Sequence, residues 1–245
     1  MKMIMVVLGV SLLIPAGRLS AQAADGTCVE CHRGLKENPA LSHNFSDWQS
    51  SVHAKSGVEC QACHDGDATQ SAKAAAHAGM LPSTKSKSPI YYTEIPATCG
   101  KCHAPEFAAF KKSAHYKQLQ SNGSGPNCVT CHGAMANHVI DARSMQTTCS
   151  LCHHQPLQAY QARAALEDAA DSLRRLNGEI QSAVSTGLTD PSGQKKTYQL
   201  LADRLHQAKV DWHAFQTDAV LVSAKDISHQ AQATFTELKS KNKTP

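Results

Sequence analysis

Ten cysteines occur in the 245 residues, and all ten fall into one repeated pattern. Cys28-Val-Glu-Cys31-His32 is the first copy and Cys60-Gln-Ala-Cys63-His64 the second. Cys99-Gly-Lys-Cys102-His103, Cys128-Val-Thr-Cys131-His132 and Cys149-Ser-Leu-Cys152-His153 complete it. C-x-x-C-H is the attachment signal for c-type haem. Two thiols about one helical turn apart reach the two vinyl groups of the porphyrin, and the adjacent His lies beneath the iron as proximal ligand. Disulfides, thioredoxin-like motifs and zinc sites also use paired cysteines, but none of them demands a His after every second Cys. Histidine fills 14 of the 245 positions, so its chance appearance after all five pairs has odds of ~10⁻⁶. The motifs therefore predict five covalently bound haem c groups, with His32, His64, His103, His132 and His153 as proximal iron ligands.

The chain opens like an exported protein. Lys2 is a short positive n-region, an apolar run extends from Met3 to Ile14, and Ala21-Gln22-Ala23 has the pattern of a signal peptidase site. The run is shorter than the ~20 residues of a spanning helix. Residues 1–23 are thus expected to be a cleaved signal peptide, with a periplasmic mature chain that has no transmembrane segment. Aromatic residues are only 5% of the chain, so the N-terminal part has little side-chain material for a core, and haem is expected to fill it. The formal charge of +4 falls to about +2 without Lys2 and Arg18. Nothing resembles the concentrated basic face of a nucleic-acid-binding protein, and haem propionates would add on the order of ten negative charges.

The N-terminal part repeats. Thr27 to His32 is followed by Trp48-Gln-Ser-Ser51-Val-His53 and then by the second motif. Thr98 to His103 is followed by Phe110-Lys-Lys-Ser113-Ala-His115 and then by the fourth. Each even-numbered motif has one more His after it, His77 and His138. The fifth motif opens a third unit that gains no second haem. Repetition of this kind argues for stacked equivalent units. Nine histidines remain beyond the five proximal ones, and neutral imidazole is the commonest metal-binding side chain. His53, His77, His115 and His138 are assigned as distal ligands from their repeated places. For the remaining haem, His229 is favoured, with His43 and His154 as alternatives. His206 and His213, seven apart on one helix face, are read as surface or packing residues. Met80, Met135 and Met145 are possible axial ligands that the histidine surplus makes unnecessary.

After Pro156 the pattern changes. Leu166, Ala169, Leu173, Leu176, Ile180 and Ala183 follow three-four spacing, and a turn follows over 187–193. Tyr198, Leu201, Leu205, Ala208, Trp212, Phe215, Ala219 and Val222 continue it, and the pattern runs on through Ile227, Ala231, Phe235 and Leu238, with a bend or break near Ser223. The expected fold is mainly α. A pentahaem domain over 24–155 has little regular structure around the haems, and a long antiparallel helical hairpin follows over 156–245. The hairpin seam would cover the haem region or form a homodimer.

The runs Trp48 to His64 and Thr98 to His115, with the long C-terminal helices, resemble one superfamily. It contains hydroxylamine oxidoreductase, the pentahaem ammonia-forming nitrite reductase and the tetrahaem cytochrome of ammonia oxidisers. The resemblance implies that Ser51-Val-His53 and Ser113-Ala-His115 supply distal ligands, and that a C-terminal-helix His such as His229 can ligate. The C-x-x-C-K site of that nitrite reductase is absent, since all five motifs end in His. Two functions are consistent with these features. The first is electron transfer through closely packed bis-His haems, between periplasmic or membrane quinol-linked redox partners. The second is an oxidoreductase acting on nitrite, hydroxylamine or a sulfur oxyanion at one haem with an open distal side. The fifth haem, at His153, is the natural candidate for such an open site.

Overall fold

The computed structural model describes residues 27–34, 45–187 and 189–242. The proposed signal peptide and His43 lie outside these. The described regular structure is helical. Ten short helices carry the motif region: α1 Thr27–Arg33, α2 Phe45–Ser50, α3 Val52–Lys55, α4 Gln61–His64, α5 Lys73–Ala76, α6 Ile95–Gly100, α7 Ala104–Phe110, α8 Ala114–Asn122, α9 Cys128–His132 and α10 Ala142–Ser150. Helices this short are marginal in isolation. Local caps hold several of them. Ser51 accepts from the Ala54 N–H to start α3, and Ser113 from the Tyr116 N–H to start α8. Asn127 and Thr130 form a reciprocal capping box on α9, and Asp141 caps α10 through the Ser144 N–H.

Three long helices follow: α11 Leu157–Thr186, α12 Ser192–Asp211 and α13 Thr217–Lys241. Their apolar faces meet in one core containing Leu166, Leu173, Leu176, Ile180, Leu201, Leu205, Ile227 and Leu238. Gly187 ends α11 at φ 65°, where its N–H bonds the Ala183 carbonyl, a left-handed cap that glycine adopts freely. The α11–α12 hairpin expected from the sequence is present. Its second arm breaks earlier than expected, however. A single 3₁₀ turn, Trp212–Ala214, and Phe215 at φ 58° reverse the chain.

The third helix therefore returns alongside the first. Ser172 of α11 hydrogen-bonds Ser228 of α13 at 3.0 Å, and Asn242 just past α13 donates to Glu179 at 2.8 Å. Arg204 of α12 pairs with Asp226 of α13 at 2.5 Å. The reversal also re-phases the helix. Val220 and Ala224 enter the core, while Val222, expected in the seam, is 69% exposed. Most of the seam's apolar residues are buried among the three helices of one chain. No described helix is long and apolar enough to cross a membrane.

Candidate haem-binding sites

Each motif folds as a helical turn. The N–H groups of His64, His103 and His153 donate to the carbonyls of Cys60, Cys99 and Cys149, all at 2.9 Å. This is the i to i−4 bond of an α-helix. It places both sulfurs and the imidazole on the same side of the turn, whatever the flanking sequence.

The proximal imidazoles have partners. His32 faces His77 with ring centres 6.2 Å apart, His103 faces His53 at 6.1 Å, His153 faces His115 at 5.8 Å and His132 faces His213 at 6.2 Å. All four separations fall in a narrow range, 5.8–6.2 Å, and every pair includes a motif histidine. Two metal–imidazole bonds of ~2 Å, each with about 1 Å from nitrogen to ring centre, give ~6 Å across one iron. The porphyrin supplies four further ligands, so a pair of histidines is the protein's whole contribution to a bis-His haem. The residues present fit the group.

The Nδ1 atoms of four of these rings are hydrogen-bonded. His77 Nδ1 donates to the Lys73 carbonyl at 2.8 Å, and His213 Nδ1 to the Lys209 carbonyl at 3.0 Å. His53 Nδ1 donates to Asn137 Oδ1 at 3.0 Å, and Asn137 in turn donates to the Gly133 carbonyl. His132 Nδ1 donates to the His138 carbonyl at 2.9 Å. A metal-ligating His commonly donates its second N–H in this way, which fixes the tautomer and leaves Nε2 for the metal. Burial, and then the charge of His132, pushes the His213 imidazole below its ordinary range. Burial, and then His153, does the same to His115. Both effects favour the neutral, metal-binding form.

The structure thus sets His53, His77 and His115 opposite proximal histidines. His213, read from the sequence as a surface or packing residue, stands opposite His132. His138 is exposed, its Nδ1 donating to the Ala136 carbonyl and its own backbone holding His132 at both ends. The Ser-x-His of each unit faces the proximal His of the odd-numbered motif of the next unit, His53 against His103 and His115 against His153, while His77 faces His32. His229 and His206 lie on exposed positions of α13 and α12, and Met145 is buried against the bundle. The helix break that presents His213, between Trp212 and Phe215, leaves no mark in the sequence, where the residues around it fit an uninterrupted helical period.

The thiols of successive motifs are neighbours. A hydrogen bond joins Cys99 and Cys128, raising the first and lowering the second. Burial raises Cys60, and the charge of Cys28 adds to it. Burial raises Cys63, with Cys99 next. Burial pushes Cys131 up to about 11, with Cys149 adding to it. Each motif therefore has a thiol near one of the next motif along the chain.

Comparisons with known proteins agree with this chemistry. The chain is 25% identical over 154 residues to the C-type polyheme cytochrome OmcC of Geobacter sulfurreducens, covering 63% of this chain and 17% of that protein. It is 29% identical over 131 residues to the C-type polyheme cytochrome OmcB of the same species, covering 49% and 16%. It is 25% identical over 135 residues to the multiheme cytochrome MtrA of Shewanella baltica, covering 55% and 33%. The chain thus spans at most a third of the length of these curated relatives. No protein-family model matches, and no solved structure matches. These relatives support the multihaem c-type cytochrome class for this chain, and leave the narrower hydroxylamine oxidoreductase-like grouping without support.

Proposed function

We propose that this chain is an exported, periplasmic pentahaem c-type cytochrome that passes electrons along a row of closely spaced haems. The observation that carries this reading is the set of four imidazole pairs at 5.8–6.2 Å. Each bound haem would supply a one-electron ferric/ferrous couple, and an imidazole on both sides leaves no open position for substrate. His115 opposite His153, 5.8 Å between ring centres, supports a closed distal side at the haem first considered for a catalytic open site. The curated relatives, named as polyheme and multiheme cytochromes, support electron transfer as the role. The partners would be redox proteins at either end of the row, periplasmic or membrane quinol-linked.

The proposed axial pairs are His32–His77, His103–His53, His132–His213 and His153–His115. For the second haem, at His64, we propose His43, which lies outside the described residues, as the sixth ligand, with His154 as the alternative. His138 is engaged at His132 through its backbone, and His206 and His229 sit on outer faces of the bundle.

Electron paramagnetic resonance of the oxidised protein tests the reading. Low-spin ferric signals alone are expected, and the reduced protein should form no carbon monoxide adduct. High-spin iron equivalent to one haem, together with carbon monoxide binding, would move the assignment to an enzyme with an open site.

A further inference from the structure

The turn that carries His213 also reaches a second site. Two residues beyond His213, the Phe215 ring stands edge-on to His115, centres 4.3 Å apart at 86°. Phe215 adopts φ 58°, ψ 30°, a left-handed conformation disfavoured for a bulky side chain. Contacts with Phe110 at 6.4 Å and Trp212 at 6.1 Å hold the ring there. His115 Nδ1 is buried and has no hydrogen-bond partner. The other three distal candidates, His53, His77 and His213, all donate Nδ1–H to an oxygen at 2.8–3.0 Å.

An acceptor on the outer N–H makes an imidazole a stronger donor to the metal. A stronger donor stabilises ferric over ferrous iron, so a ligand without that acceptor leaves its haem easier to reduce. An apolar wall in place of a polar one acts in the same direction, because it disfavours the more highly charged oxidised state.

We infer that Phe215 is a positioning residue that denies His115 a hydrogen-bond acceptor and so makes the haem at His153 the most easily reduced of the four with a described axial pair. The inference rests on the reading of His115 and His153 as such a pair. It places the electron-collecting end of the row at its C-terminal motif, beneath the three-helix bundle.

Redox titration of the haem-loaded full chain, followed optically and by electron paramagnetic resonance, tests it with three variants. Phe215→Asn suits the left-handed backbone and brings an amide oxygen, or a water it admits, towards Nδ1. Phe215→Leu removes the ring without offering an acceptor. His115→Ala identifies which component belongs to the fifth haem. His115→Ala is expected to turn one haem high-spin and to delete the highest-potential low-spin component. Phe215→Asn is expected to lower the potential of that same component, and Phe215→Leu to leave it highest. No high-spin haem in His115→Ala overturns the axial pair itself. A high-spin haem whose lost component is not the highest overturns the role of Phe215 alone. So does an equal shift in the Asn and Leu variants, or a shift confined to another component.

Discussion

A histidine at the second position of a short capped helix is the recurring unit of this molecule. In Ser51-Val-His53 and Ser113-Ala-His115 the serine is almost wholly buried, at 2% and 3% exposure, and its oxygen accepts the N–H three residues on. The cap fixes where the helix starts, and so where the imidazole points. That link between local capping and ligand position is why the two Ser-x-His runs were legible in sequence. His213 was not, because its neighbours fit an uninterrupted helical period and contain neither Gly nor Pro. The difference sets up a prediction at single positions. His53→Ala and His213→Ala should each convert one haem to high spin, read by electron paramagnetic resonance. His138→Ala should leave every haem low-spin, since only its backbone holds His132. High-spin iron in His138→Ala, with none in His213→Ala, would restore the assignment made from the repeat.

Helix α8 shows what an element must satisfy to hold a ligand. Ser113 caps its start, Leu119 is fully buried, and Gly123 ends it in the left-handed conformation. Gly125 then folds back against it. A Cβ there would lie 2.3 Å from the His115 carbonyl oxygen and 2.5 Å from the Leu119 nitrogen, both backbone atoms that cannot yield. Ser113→Ala should destabilise the protein by about 1 kcal/mol. Gly125→Val should cost about 1–3 kcal/mol, as overpacking does, and should broaden the low-spin signal of the fifth haem. Thermal unfolding followed by circular dichroism checks both, and a Gly125→Val melt identical to the parent would contradict the close approach. Elements of this length were harder to place from sequence than the long helices. Their boundaries depend on caps and on turns such as Gly125, whereas α11 declares itself by six apolar positions in a three-four rhythm. The same rhythm concealed the reversal at Trp212–Phe215, since Ala208, Trp212 and Phe215 keep the period while the chain changes direction.

Across the whole molecule, two parts with different sources of stability share one boundary. The bundle has a conventional apolar core. Leu176, fully buried in it, should cost about 2–5 kcal/mol on replacement by Ala, measured by denaturant unfolding. The motif region has few buried apolar side chains and ten cysteines in five motifs. Its interior is the place for the haems, and the bundle reaches into it through His213 and Phe215. The five motifs were legible in the sequence but which sites neighbour one another was not, because that depends on thiols 18 to 36 residues apart, from Cys131 and Cys149 to Cys63 and Cys99. All of this assumes thioether bonds at every motif. The direct measurement is the intact mass of the purified chain after extraction with acidified acetone. The polypeptide plus five haem masses is the expected value. A mass equal to the bare polypeptide, or one short of five haems, would contradict the account.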